Sequence, residues 1–208
     1  MTDRLLGSIL FLPVPIVLWL FTRAPLGVPL SLALGTLVMA THRRYARPWA
    51  RLRAGRRCLW CGAATEGGVP VAIEEPLGHT TWRACGDAHA GKLARVLRFA
   101  ERWSAGLRIA IFGGLAVFLP AALLAATGNL GLLTYGDAVA FFKLLVAIGV
   151  LPLGWLGPFS RPFASRPIRV PFPVHIQALI GTWAVLWLFR VVGLVWLVQA
   201  ALHVARRL

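Results

Sequence analysis

Acidic residues are scarce in this chain of 208 residues, which has seven Asp and Glu side chains against 22 Lys and Arg. Charged residues make up 14% of the sequence, whereas a soluble domain carries about 25%. The chain therefore lacks the charged surface of an ordinary soluble domain. Its formal net charge of +15 has to be explained by where the basic residues lie.

Several functional patterns are also missing from the sequence. There is no Walker-type loop, no dinucleotide fingerprint and no serine–histidine–acid set, so we expect no enzyme. No carboxylate lies deep inside an apolar run, which argues against a proton-coupled pump. Three cysteines cannot all pair as disulfides. Two of them form a C-x-x-C beside the most basic segment, and we expect thiolates in a reducing compartment.

The sequence contains many long apolar runs. Hydrophobic residues make up 58% of the chain and the mean hydropathy is +0.73. Unbroken runs of this kind predict membrane-spanning helices. The fold class we expect is membrane all-α, with about five transmembrane helices. The runs cover residues 5–22, 26–41, 107–127, 138–157 and 174–207.

Two of these runs have unusual lengths. Residues 5–22 and 26–41 are each shorter than the roughly 20 residues that cross a bilayer, so they form either two short spans or a re-entrant hairpin. Residues 174–207 would reach about 50 Å as one helix. We expect a span to about Val198, followed by an amphipathic segment at the membrane surface.

The charge pattern predicts the topology. Residues 42–57 contain seven arginines and no acid, which places this loop in the cytoplasm. We therefore expect an integral protein of a bacterial inner membrane. The predicted organisation is a membrane hairpin (1–41), a basic cytoplasmic linker (42–57), a small cytoplasmic α+β zinc domain (58–105) and a three-helix membrane domain (106–208).

All three cysteines belong to one pattern, Cys58-Leu-Trp-Cys61 followed by Gly62, and Cys85-Gly-Asp-Ala-His89, with 23 residues between Cys61 and Cys85. A C-x-x-C turn followed by glycine is typical of a zinc knuckle, and Gly62 permits the backbone conformation that the turn requires. Residues 69–75 and 79–84 predict a β-hairpin that leads to Cys85 at the start of a helix. Cys85 and His89 are four residues apart and share one helix face. The predicted ligands of Zn2+ are Cys58, Cys61, Cys85 and His89, with His79 as the alternative fourth ligand.

Knuckle, hairpin and a helix that begins with two ligands together resemble the treble-clef zinc fingers. The resemblance covers residues 58–104 only. It implies a structural site with four protein ligands and no open position, with Cys58, Cys61, Cys85 and His89 as those ligands. The chain departs from the group in its C-x3-H pair, where two cysteines are more common.

An iron–sulfur centre is the alternative for the same four residues. The run C-G-D-A-H is similar to the C-D-G-S-H run of the iron–sulfur proteins named for that motif. Those proteins have C-x-C and a third cysteine close behind. This chain has C-x-x-C, a gap of 23 residues, and exchanged Gly and Asp positions. Zn2+ is therefore favoured over a [2Fe–2S] cluster.

Basic residues around the zinc domain predict contact with anionic lipid headgroups. Helix residues 89–102 set one cationic face against an apolar face, and the neighbouring spans keep this helix near the membrane. Lipid is therefore favoured over nucleic acid. The predicted lipid-binding residues are Arg43, Arg44, Arg47, Arg51, Arg53, Arg56, Arg57, Lys92, Arg95, Arg98 and Arg102.

Two cations, Lys143 and Arg190, lie inside predicted spans. Both fall in the outer third of the span, where long side chains reach the headgroups. Asp137 lies at a similar level and could pair with either of them. Snorkelling or a structural ion pair is favoured over an anion or lipid-phosphate site.

These observations lead to three functional hypotheses. The first is a non-enzymatic accessory, assembly or docking protein whose zinc domain offers a structural surface to another membrane or cytoplasmic protein. The second is a redox protein that holds iron–sulfur on the same ligands. The third, motivated by Lys143 and Arg190, is a small transporter or channel.

Overall fold

The computed structural model describes residues 27–75, 78–126, 134–159, 167–170, 174 and 177–207. The predicted run at residues 5–22 lies outside them. The helices are α1 Gly27–Thr41, α2 Arg47–Ala54, α3 Asp87–Arg108, α4 Gly114–Ala126, α5 Tyr135–Trp155, α6 Gln177–Ile180 and α7 Thr182–Ala205. The strands are β1 Val69–Glu75, β2 Gly78–Ala84 and β3 Ile168–Arg169, in the sheet order β2-β1-β3.

In the part of the chain that the structure describes, three helices are long and apolar enough to cross a membrane: Asp87–Ala125, Tyr135–Phe159 and Thr182–Ala205. They fit an integral membrane protein. The first of them includes α3, a π-helical turn at Ile109–Gly113 and α4. Helix α1 has 15 residues and is about 22 Å long, which is shorter than the ~30 Å hydrocarbon core.

The chain divides into two compact units. The first, which we call the sheet unit, includes Thr41–Ser104 and Pro152–Phe189. The second, which we call the helical unit, includes Ala105–Leu151 and Arg190–Leu208. The predicted border between residues 105 and 106 thus falls within the continuous helix α3.

The sheet of the first unit is amphipathic. Strands β1 and β2 are antiparallel, with Val69 opposite Ala84, and β3 adds to β1 in parallel, with Ile73 opposite Ile168. Alternate side chains of a strand point to opposite faces. Ile73 and Trp82 are accordingly 1% exposed, whereas their neighbours on the strands face outward. Helix α3 completes the core with Leu93, Val96 and Leu97.

A segment from the far end of the chain completes this core. Val174, Ala178 and Leu179 are fully buried against it, so the unit extends beyond the predicted residues 58–105. The apolar run 174–207 is therefore not one membrane helix. It is interrupted at Gly181, which has φ +95°, and the spanning helix begins at Thr182 and continues to Ala205.

The basic segment 42–57, predicted as a linker, is helical as far as Ala54. Arginine and alanine favour helix. Pro48, near the start of α2, follows a π-helical turn at His42–Ala46. The wider π turn makes room for the proline ring, which would clash with the carbonyl four residues earlier in a regular α-helix.

The helical unit buries a small core and exposes large apolar side chains. Phe118 is fully buried and packs with Phe142 and Ala122. In contrast, Ile109 is 72% exposed and Leu123 is 67% exposed. Such surfaces suit a bilayer, where the surrounding lipid is as apolar as leucine.

Candidate metal centre

Cys58, Cys61, Cys85 and His89 form a group that could hold a metal ion, with their four ligand atoms all within 4.8 Å of one another. The Cys61 and Cys85 Sγ atoms are 4.0 Å apart. The His89 Nδ1 atom lies 3.6 Å from the Cys58 Sγ and 2.8 Å from the Cys85 Sγ. The sequence pattern and the geometry therefore select the same four residues.

The C-x-x-C turn is built by backbone hydrogen bonds. The Gly62 N–H donates to the Cys58 carbonyl, and the Cys58 N–H donates to the Ala63 carbonyl, both at 2.8 Å. Gly62 has φ +70°, which confirms its predicted role because this conformation favours glycine. The Arg57 guanidinium donates to the Gly62 carbonyl at 2.7 Å. Backbone and side-chain hydrogen bonds thus both support the shape of the turn.

The hairpin and the start of α3 supply the other two ligands. The Leu59 N–H donates to the Arg83 carbonyl at 2.8 Å, which joins the C-x-x-C turn to β2 just before Cys85. Helix α3 begins at Asp87, so His89 lies in its first turn. The predicted hairpin and helix are both confirmed. The side chain of His79, the alternative ligand, lies outside the described residues.

The thiols differ in acidity because they share one small space. Burial raises the pKa of the Cys58 thiol, but hydrogen bonds from the backbone of Cys61 and Cys85 and from His89 outweigh it, so that the pKa falls to about 6. Desolvation, together with hydrogen bonding and charge repulsion from Cys58 and Cys61, raises the pKa of Cys85 to about 11. A cation would relieve this repulsion, since metals bind the deprotonated thiolate.

The C-x-x-C turn also contacts the start of α7. The Thr182 N–H and hydroxyl both donate to the Leu59 carbonyl at 2.8 Å, and the Trp183 N–H donates to the Trp60 carbonyl at 3.1 Å. These bonds satisfy N–H groups that have no partner within the helix. Sequence reasoning missed this contact. The available signal was Gly181-Thr182, a glycine and an N-cap residue type within an apolar run.

The glycines Gly62 and Gly181 let the two backbones meet. A Cβ atom on Gly181 would lie 2.7 Å from the Trp60 oxygen and from the Cys61 carbonyl carbon. A Cβ atom on Gly62 would lie 2.9 Å from the Ile180 carbonyl carbon. Both distances are shorter than a carbon atom tolerates, so only glycine fits at either position.

Most of the predicted lipid-binding residues are at least partly exposed. Arg51, Arg57 and Arg95 are half-buried, and the side chains of Arg47 and Arg53 lie outside the described residues. The exposed members of the set are Arg43, Arg44, Arg56, Lys92 and Arg102.

Arg98 differs from the prediction. It is 5% exposed and its guanidinium donates to the Glu101 carboxylate at 2.9 Å. Glu101 lies three residues further along the helix, where the two side chains can meet. The pair buries Arg98 instead of leaving it on the exposed cationic face of α3.

The two cations predicted inside spans lie on α5 and α7, and Asp137 has partners other than the predicted ones. The Lys143 ammonium donates to the Gln199 side chain at 2.8 Å, and Arg190 is half-buried. Asp137 contacts His203 at 2.7 Å and Arg207 at 2.6 Å, which corrects the expectation that it could pair with Lys143 or Arg190. His203 and Arg207 were not predicted as partners because they lie 66 and 70 residues from Asp137 in the sequence.

Comparison with known proteins finds no match: no protein-family model and no curated protein matches the sequence, and no solved structure matches the fold. The function therefore has to be argued from the site itself.

Proposed function

We propose that this chain is an integral membrane accessory or assembly protein whose treble-clef-like domain is held by a structural Zn2+ and docks another protein. The observation that carries the proposal is the closed set of four protein ligands within 4.8 Å. A structural zinc site has four protein ligands, whereas a catalytic one keeps a position for water or substrate.

The spacing of the ligands supports a single ion. With Zn–S bonds of about 2.3 Å, neighbouring sulfurs of a tetrahedral site are about 3.8 Å apart. The Cys61 and Cys85 sulfurs, at 4.0 Å, are close to this value. The His89 Nδ1 atom lies 3.6 Å from the Cys58 Sγ, but the 2.8 Å to the Cys85 Sγ is short for one tetrahedral ion, so His89 would move away from Cys85 when zinc binds. A [2Fe–2S] cluster divides its ligands between two irons, which requires a wider set. For this reason we favour zinc over the redox alternative.

A structural role also agrees with what surrounds the ligands. The C-x-x-C turn joins β2 through Leu59 and the start of α7 through Thr182 and Trp183. A metal that fixes the turn would therefore fix the surface composed of these elements. The outer face of the hairpin, with Pro70, Arg83 and its other exposed residues, is the docking surface that we propose.

The exposed cations support a cytoplasmic position against anionic lipid. The exposed members of the predicted set all belong to the sheet unit, namely Arg43, Arg44, Arg56, Lys92 and Arg102. Each Lys or Arg near an anionic leaflet contributes about 1 kcal/mol of attraction. Their excess on one unit follows the pattern of cytoplasmic segments.

Metal analysis of the full chain purified in detergent tests the zinc site. We expect one equivalent of zinc, no visible absorbance, and loss of the zinc in His89→Gln. The matched control is His203→Gln, which changes a histidine of the helical unit and should retain the metal. A brown protein containing iron would support the redox alternative and contradict the zinc proposal.

Docking is tested by purification from native membranes in mild detergent. We expect one partner protein to copurify with the wild type and with His203→Gln, and to be lost with His89→Gln. An unchanged set of copurifying proteins after loss of the metal would contradict a docking role for the zinc domain, as would the absence of any specific partner.

A further inference from the structure

A groove of about 460 Å³ lies between α5 and α7 in the helical unit. Small side chains on both helices, such as Ala140 and Ala201, leave the space for this groove. Leu144 and Leu197 also line it. Its walls are apolar except at one end, where Asp137 and His203 line it. An apolar body with one polar end is the shape of a site for an amphiphile.

The polar end is held together by side-chain bonds. The Asp137 carboxylate contacts the His203 Nε2 at 2.7 Å and accepts from the Arg207 guanidinium at 2.6 Å. Arg207 also donates to the Thr134 hydroxyl at 2.7 Å. Gly136 permits the approach of His203, since a Cβ atom there would lie 2.8 Å from the imidazole ring.

This end carries an excess of positive charge. Asp137 provides one negative charge, whereas Arg207 and the adjacent exposed Arg206 provide two positive charges. Arg207 remains 46% exposed in its ion pair, so its other N–H groups can reach a ligand. The guanidinium fork suits a phosphate group, which it can bind through two hydrogen bonds.

We propose that the groove binds an acyl chain of an anionic phospholipid, with the phosphate at Arg207. From Asp137 to Leu144 the groove follows about 10 Å of helix, and one leaflet of the hydrocarbon core is about 15 Å thick. The rest of the chain therefore extends beyond Leu144 into the bilayer. The site is separate from the metal centre and does not depend on it.

The dimensions favour a lipid chain over a helix of another subunit. A volume of about 460 Å³ over about 10 Å gives a mean cross-section of roughly 45 Å². A helix with side chains is at least about 10 Å wide and has a cross-section near 80 Å². A helix would also leave the positive end without an anionic partner.

Native mass spectrometry of the full chain tests the site, with phosphatidylglycerol and phosphatidylcholine of identical acyl chains as probes. We expect one phosphatidylglycerol to be retained in preference. Ala201→Phe fills the groove and should abolish this retention. Leu202→Phe changes the next residue, which is 52% exposed and does not line the groove, and should retain the lipid.

The headgroup contact is tested by Arg207→Gln. A charge-assisted hydrogen bond supports an expected loss of about tenfold in the retention of phosphatidylglycerol. The loss for phosphatidylcholine should be smaller, because its own ammonium group offsets the charge of its phosphate. Equal retention of both lipids by the wild type would overturn the proposal, as would competition by inorganic phosphate alone or unchanged binding in Ala201→Phe. A dimer that Ala201→Phe dissociates would assign the groove to a second copy instead.

Discussion

The two units differ in how far their large apolar side chains are exposed. In the sheet unit, Trp82 and Leu97 are each 1% exposed and packed by neighbouring elements. In the helical unit, Phe112 is 65% exposed and Leu123 is 67% exposed. The sheet unit must bury its apolar side chains from water, whereas the bilayer accepts those of the helical unit. Hydropathy alone cannot distinguish the two cases, as the run 174–207 demonstrates.

Removal of the metal should produce the largest difference in stability between the two units. Binding of structural zinc corresponds to about 10–16 kcal/mol, which is comparable with the whole stability of a domain. We expect Cys58→Ser, or chelation of the wild type, to unfold the sheet unit and leave the membrane helices intact. Limited proteolysis combined with circular dichroism measures both effects. A protease-resistant sheet unit without metal would show that the core alone stabilises it.

Leucine truncation should affect the two units differently. Leu97→Ala creates a cavity in the sheet unit and should cost about 2–5 kcal/mol. Leu123→Ala removes a lipid-facing side chain and should change stability by no more than about 0.5 kcal/mol. Equilibrium unfolding in detergent provides the comparison. Similar losses for both variants would contradict the assignment of Leu123 to a lipid-facing surface.

The backbone contact at Gly181 should be more sensitive than an open glycine. Gly67 also has a positive φ, +75°, but a Cβ atom there has open space. Gly67→Ala should therefore cost only the backbone strain of about 1 kcal/mol. Gly181→Ala adds a clash with the C-x-x-C turn, and we expect a loss of about 2 kcal/mol or more. We would measure the thermal unfolding midpoint and the rate of zinc transfer to a chelator for both variants. Equal effects of Gly67→Ala and Gly181→Ala would contradict the close approach of Gly181 to the C-x-x-C turn.

Single hydrogen bonds should have the smallest effects. Thr182→Val removes the hydroxyl bond to Leu59 in the sheet unit and should cost about 1 kcal/mol. Gln199→Leu removes the bond from Lys143 in the helical unit, and bonds between membrane helices average about 0.6 kcal/mol. Unfolding of both variants in the same detergent ranks them. A loss above about 2 kcal/mol for Gln199→Leu would point to a larger polar network around Lys143.

Local features of the sheet unit were predictable from sequence. The C-x-x-C turn, the hairpin, the helix after Cys85 and the role of Gly62 all follow from residues close together in the chain, where spacing fixes geometry. The four candidate ligands could be selected from the sequence because the chain has only three cysteines. The prediction of a treble-clef relationship remains untested.

Long-range contacts were not predictable in the same way. Ile168 pairs with Ile73, and Leu179 enters the same core, although two candidate spans separate both residues from β1 in the sequence. An apolar residue has the same hydropathy in a soluble core and in a membrane helix. The sequence therefore could not predict that Leu179 belongs to the core of the sheet unit. Arg98 likewise follows the periodicity of an exposed face, and only its pairing with Glu101 explains its burial.

The strand β3 has a consequence for biosynthesis. The first two strands and the three cysteines precede the first candidate spanning helix, and His89 lies in its first turn, whereas β3 and Gln177–Ile180 follow the second. The ribosome therefore releases the ligands long before the rest of the core exists. Folding of the sheet unit can finish only after both of these helices have been synthesised. A chain that ends before Ile168 would therefore carry the four candidate ligands without the third strand of their sheet.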